Sequence, residues 1–155
     1  MVSALASVAT DDHARLRLWL RLLRTTRAIE RQLRERLADA FDTTLPRFDV
    51  MAALDRAPEG MMMGELSRFL LVSNGNVTGI VERLVSDGLI ARGHRDGDRR
   101  AAIVRLTPAG RTQFATMAAA HARWIDELLA PIDPATAQDI TATLTAFRSQ
   151  WEKEA

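Results

Sequence analysis

The chain has 155 residues, 47% apolar and 26% charged, with a formal net charge of +1, the make-up of a soluble globular chain able to bury one core. It has no cysteine, which excludes disulfide staples, thiolate nucleophiles, cysteine metal sites and thiol-based peroxide sensing. His13, His94 and His121 are scattered without ligand spacing, so neither a metal nor a cofactor is expected; no window is apolar enough to span a bilayer, and with no secretory signal the expected location is cytoplasmic.

In chain order, residues 1–10 are mildly apolar and are expected to form a flexible tail. A helix is predicted over 12–41, capped by Asp11 and Asp12. Leu16, Leu20, Leu23, Ile29, Leu33 and Leu37 supply its apolar positions between arginines, and no proline or glycine breaks it. That length exceeds what a small lobe requires. Thr44 and Pro46 open a short helix through Phe48, Met51 and Leu54 that stops before Pro58. After Met61, Met62 and Met63, a further short helix starts at Gly64.

Ser73 is the predicted N-cap of the next helix. Val77, Ile80, Val81 and Leu84 recur at helical spacing and are expected to face a core. The other face carries Asn74, Gly75, Asn76, Thr78, Gly79, Glu82 and Arg83. Gly75 and Gly79 lie nearly one above the other, and each costs up to about 1 kcal/mol of helix stability relative to alanine. A backbone that comes close to a DNA groove would offset that cost, and Asn74 and Asn76 in the first turn can pair with base edges.

Asp87-Gly88 predicts the helix stop, with Gly88 just past the last turn. Strands are predicted over 89–93 and 101–106, joined by the turn signal Asp96-Gly97-Asp98. Residues 92–105 hold five arginines (Arg92, Arg95, Arg99, Arg100, Arg105) against Asp96 and Asp98, a net of +3 in a chain of +1. Positive charge is thus gathered on a hairpin beside the glycine-faced helix, where it would meet phosphate or a narrow minor groove. The expected fold class is mainly α with a small β-wing: a winged helix-turn-helix with long N- and C-terminal dimerisation helices. The rival reading of such a fold is a protein-interaction module that does not touch DNA.

Thr107-Pro108 opens another long helix, broken near Pro131, and Asp133-Pro134 opens the last, running to Trp151. Long helices flanking the reader predict a homodimer whose two-fold axis matches a palindromic operator in double-stranded DNA. The lobes expected within a single domain spanning 1–155 are a winged helix DNA-binding lobe over 44–107 and a dimerisation lobe over 12–41 plus 108–153. There is no Gly-rich phosphate loop, zinc-protease motif, nucleophile elbow or convincing carboxylate pair, so no enzyme activity is expected.

The region from Leu66 to Gly110 resembles the MarR-type transcriptional regulators, through the helix at Gly64, the helix from Ser73, Asp87-Gly-Leu-Ile-Ala-Arg, Asp98-Arg-Arg and Leu106-Thr-Pro-Ala-Gly. The resemblance implies that Asp98, Arg99 and Arg100, with Arg95 beside them, shape a wing whose arginine reaches the minor groove. It also implies that a brief strand at the methionine run completes the sheet. Gly64 departs from the family pattern, which favours a serine or threonine cap. The phrase Leu71-Val-Ser-Asn-Gly-Asn-Val-Thr-Gly is similar to the reading helix of a subgroup controlling hydroxycinnamate and related aromatic-acid breakdown, some responding to the acyl-CoA thioester. A small aromatic acid or aromatic acyl-CoA effector is therefore expected. Apolar candidates for its site are Trp19, Phe48, Met51, Phe69, Met117 and Trp124, joined by His121. Arg15 and Arg24, with the other arginines of the first helix, are candidates for its phosphates or carboxylate. For the apolar set the alternative is simple core, and for the arginines a solvated helix face.

Overall fold

The computed structural model describes the backbone of residues 2–70, 74–95 and 98–151 and the side chains of 13–70, 75–94 and 102–149. Six helices and three strands follow one another: α1 (Val2–Phe41), α2 (Leu45–Asp55), β1 (Met61–Met62), α3 (Met63–Leu70), α4 (Asn74–Ser86), β2 (Ile90–Arg95), β3 (Asp98–Leu106), α5 (Pro108–Leu129) and α6 (Pro134–Trp151). The fold is mostly helical with one small antiparallel sheet of order β1-β3-β2, as the sequence predicts. The chain divides into two compact units, Met1–His121 and Ala122–Ala155, with the boundary inside α5. No helix among the described residues is long and apolar enough to cross a membrane.

The first departure is at the N-terminus. α1 begins at Val2, so residues 2–10 of the expected tail are helical. The segment holds Ala4, Ala6 and Ala9 with neither glycine nor proline, and helix propensity carries a continuous helix through it. Leu33 and Leu37 are buried, yet residues 13–21 are exposed without exception, Leu16 and Leu20 among them. Among the described side chains of α1, those that join the core lie in its C-terminal turns. Asp42, at φ 47, ends the helix in the left-handed region, which a short polar residue tolerates.

α2 starts as expected, with Thr44 as N-cap accepting a hydrogen bond from the Arg47 N–H and Pro46 in the first turn. It buries Phe48, Val50, Met51, Ala53 and Leu54, forming the centre of the unit. The methionine run splits. Met61 and Met62 form β1, opposite Val104 and Ile103 of β3, and Met63 begins α3. The missing serine or threonine cap at Gly64 is replaced from inside the helix: the Glu65 carboxylate accepts the Met62 N–H at 2.7 Å. That is the half of a capping box in which an acidic residue in the first turn satisfies the backbone donor before it.

α4 ends in a motif that sets the course of the chain into the wing. The Leu89 N–H donates to the Leu84 carbonyl at 2.9 Å and the Gly88 N–H to the Val85 carbonyl at 3.0 Å, with Gly88 at φ 72. These paired bonds are the Schellman arrangement, which needs a left-handed residue after the last turn and an apolar contact across it; Leu84 and Leu89 are both buried. In the second unit, Asp133 caps α6, its carboxylate accepting from the Ala135 and Thr136 N–H groups, each at 3.1 Å, and from the Thr136 hydroxyl at 2.6 Å. These bonds hold its pKa below the ordinary carboxylate value, Thr136 contributing most.

Candidate nucleic-acid interface

The helical register of α4 separates its two faces completely. Val77, Val81 and Leu84 are each 0% exposed, while Gly75, Asn76, Thr78, Gly79, Glu82 and Arg83 are all exposed. Ile80 departs from the expected core stripe: it is half-buried and lines a cleft, because it sits at the edge of the stripe, about 100° from Val81. A Cβ built on Gly75 or Gly79 would meet nothing within 4 Å. Neither glycine is required by packing among the described residues, and the exposed face is left shallow and free of bulk over its first two turns.

Ser73, the expected cap, lies outside the described residues, and Asn74 is placed by its backbone alone, as the first residue of α4. Arg95, Asp98, Arg99 and Arg100 are likewise placed by backbone only, on β2 and β3. The strands run longer than the expected 89–93 and 101–106, because both continue toward the tip; residues 96 and 97 lie outside the described residues. Their register is informative. From Ile90↔Leu106 to His94↔Ala102 the ladder is regular, and then Arg95 pairs with Asp98. β2 advances one residue there while β3 advances four, so residues 99–101, including Arg99 and Arg100, form an irregular insertion in the strand. Such a bulge bends the ribbon at that point. The sequence showed the arginines but not this register, which depends on the partner strand.

Among the described residues, two ion pairs tie α4 and the residue after it to their surroundings. Arg92 of β2 lies 3.8 Å from Glu82 of α4, both exposed, a contact of small energetic worth. The second is more consequential. Arg47 of α2 donates to the carboxylate of Asp87, just past the end of α4, with the Arg47 side chain 23% exposed. The Arg47 Nε is buried without a hydrogen-bond partner, so the Asp87 contact is what compensates a largely desolvated guanidinium. Forty residues separate the two, and no local signal in the sequence pairs them.

The wing and α5 meet at Thr107. Its hydroxyl donates to the Gly88 carbonyl at 2.7 Å and accepts the Gly110 N–H at 3.0 Å, and its own N–H donates to the Leu89 carbonyl at 3.0 Å. A Cβ on Gly110 would lie 2.0 Å from that Leu89 oxygen. The Leu-Thr-Pro-Ala-Gly phrase is thus a joint: threonine caps α5 while bonding the end of α4, and glycine lets the two backbones touch.

The residues expected to form an effector site differ in burial and in the unit that holds them. Arg15, Trp19 and Arg24 are exposed on α1, Trp19 at 57%. Phe69 is 52% exposed on α3. Phe48, Met51 and Met117 are buried in the core of the first unit, and Trp124 belongs to the second. His121 is the one polar candidate brought against the apolar set. Its ring stacks on Phe48 at 4.7 Å and 19°, and Phe48 in turn lies 5.5 Å from Phe114. Burial lowers the His121 pKa from the ordinary histidine value, so the ring is neutral around pH 7.

Comparison with known proteins agrees with this architecture. The sequence profile of the MarR family matches residues 41–101. The chain is 32% identical over 146 residues to the transcriptional activatory protein BadR of Rhodopseudomonas palustris, covering 88% of this chain and 81% of BadR. A crystal structure of a MarR family transcriptional regulator from Silicibacter pomeroyi matches with TM-score 0.73 and 35% identity, over 94% of this chain and 98% of that one. A mutant MarR from E. coli, solved in complex with operator DNA, shares the fold with TM-score 0.75 at 23% identity, over 87% of this chain and 96% of that one. On the identity to BadR and to the Silicibacter protein, the chain belongs to the MarR family of DNA-binding transcriptional regulators.

Proposed function

We propose that the protein is a homodimeric regulator of aromatic-compound catabolism that grips a palindromic operator and releases it on binding a small aromatic acid or its CoA thioester. The observation that carries the DNA half of this reading is the division of α4: three fully buried aliphatics on one side and Gly75, Asn76, Thr78, Gly79 and Arg83 exposed on the other. With Asn74 and Ser73 at its start, this face is offered to the major groove, and the bulged strand bearing Asp98, Arg99 and Arg100, with Arg95 opposite, to the adjacent minor groove.

Dimerisation is supported by apolar surface on the terminal helices. Leu16, Leu18, Trp19 and Leu20 are exposed in the first unit, and Ile132, Ile140, Leu144 and Phe147 in the second. Clusters of this size on a monomer mark a surface that another chain covers, and a two-fold pair of readers matches a palindrome. In this reading, 12–41 and 108–153 serve assembly and 44–107 serves DNA. Covering α1 with a partner would also change the surroundings of Arg15, Trp19 and Arg24, so an effector site formed with the partner chain accommodates their exposure here. BadR is described as activatory. Repression is our reading for this chain, and the same binding and release would activate where the operator lies upstream of a promoter.

The test is fluorescence anisotropy of the labelled upstream region of the gene and of random duplex across a salt series, with p-coumaroyl-CoA and p-coumarate as added ligands. Tight, salt-sensitive promoter binding that the thioester weakens at lower concentration than the free acid is the expected result. Promoter binding indifferent to both ligands refutes the effector. Absence of salt-sensitive binding to either duplex refutes the DNA reading and leaves protein interaction as the role of the winged helix.

A further inference from the structure

Between α2, the end of α3 and the first turns of α4 lies a cleft of about 350 Å³, lined by Pro46, Asp49, Leu70, Asn76 and Ile80. Its volume is at the small end of ligand sites, enough for one ring with a short chain. Among the described lining residues three side chains are apolar, and the polar groups are one carboxylate and one amide.

The Asp49 carboxylate lines this cleft and is exposed to solvent, and its surroundings disfavour its charge. Desolvation raises the Asp49 pKa above the ordinary value, Glu30 raises it further, and Arg34 opposes them. Arg34 is already committed, its guanidinium lying 3.0 Å from the Glu30 carboxylate. Arg34, the cation acting on Asp49, is thus shared with Glu30. A ligand cation would supply further positive charge through a charge-assisted hydrogen bond, whereas an anion would add to the repulsion from Asp49 and Glu30.

We propose that this cleft binds a small organic cation, an ammonium or amidinium group on a compact apolar body, with the charged head on Asp49 and the body against Pro46, Leu70 and Ile80. The site differs in charge preference from an aromatic-acid effector site. Asn76 belongs both to the cleft and to the exposed face of the reading helix, so the occupant shares a side chain with the DNA surface and weakens operator binding. Only this last step rests on the DNA reading.

Isothermal titration of the full-length protein with 2-phenylethylammonium, 2-phenylethanol and 3-phenylpropionate tests the site directly. Saturable binding of the ammonium, with the alcohol and the carboxylate at least about tenfold weaker, is expected, and Asp49→Asn should weaken the ammonium about tenfold while leaving the alcohol unchanged. Ammonium affinity should also fall as pH is lowered through the titration of Asp49, which decides the matter in the unaltered protein if the variant proves unstable. No saturable binding, equal binding of the carboxylate, or an ammonium affinity indifferent to both Asp49→Asn and pH overturns the proposal. In the anisotropy assay, the ammonium should weaken promoter binding by the unaltered protein and not by Asp49→Asn. Failure to bind DNA at all refutes the regulator while the calorimetry still decides the cleft.

Discussion

Gly79 gives the sharpest test of the reading face, because stability and DNA affinity should move in opposite directions. It lies in the interior of α4, where glycine costs about 1 kcal/mol relative to alanine through lost backbone entropy. A Cβ there meets nothing within 4 Å, so Gly79→Ala incurs no steric penalty that would cancel the gain. The substitution should stabilise the protein by about 0.5–1 kcal/mol and raise the melting temperature by roughly 2–4 °C. If the glycine is retained so that the helix can settle into a groove, the added methyl must be accommodated between helix and duplex. An overpacked contact costs about 1–3 kcal/mol, which makes a loss near tenfold or greater in operator affinity the expected outcome. Gly75→Ala, in the first turn, should show the same affinity loss with a smaller stability gain. Thermal melting followed by circular dichroism and fluorescence anisotropy on the same preparations measure both quantities. A stabilised variant with unchanged operator affinity would refute the close-approach argument, and a destabilised one would refute the assignment of this face as open.

The remaining predictions concern the frame that holds the reader. Asp87→Asn leaves the largely buried guanidinium of Arg47 without its counter-charge. Because the pair is partly exposed, the loss should be about 1–2 kcal/mol in urea unfolding, and pairing it with Arg47→Met should recover part of that loss; additive losses would show that the two do not act together. Gly110→Ala forces a Cβ to within 2.0 Å of the Leu89 carbonyl oxygen, a backbone atom that cannot rotate away, and should cost about 3 kcal/mol or more; a loss under about 1 kcal/mol would mean that α5 starts elsewhere. His121 has a lowered pKa in the folded state from burial, so the unfolded chain takes up its proton first. Stability is fully present above the ordinary histidine pKa and is lost as pH falls from there through the folded value. His121→Phe, which keeps a ring against Phe48, should flatten that part of the pH–stability curve, and an unchanged slope would assign the dependence to other groups.

Where the sequence was legible, the information was local. Thr44, Pro46, Gly88, Thr107 and Asp133 act within one turn of their own position, and each cap or stop is where those residue types predict. The 3.6-residue spacing of Val77, Val81 and Leu84 likewise assigns the buried face of α4 without reference to any other element, and by exclusion it names the exposed face. The N-terminal extension of α1 shows the limit even of local signals: a mildly apolar start without a signal's charges suggested a tail, while alanine content allows a helix.

The features that tertiary structure alone decided all join residues distant in sequence. Arg47 meets Asp87 only once α2 and α4 pack, and Asp49 comes under the opposing influences of Glu30 and Arg34 only once α1 and α2 pack. Residues 99–101 become an insertion only against the register of β2. The same limit separates the aromatic candidates into core and surface: helical spacing places Phe48, Trp19 and Phe69 on apolar stripes alike, but only packing buries the first and leaves the other two exposed. Amphipathic periodicity and capping chemistry thus determined from sequence where these helices start or stop and which face of α4 is buried. Charge compensation, strand register and burial are properties of pairs of segments, and they were decided when those segments came together.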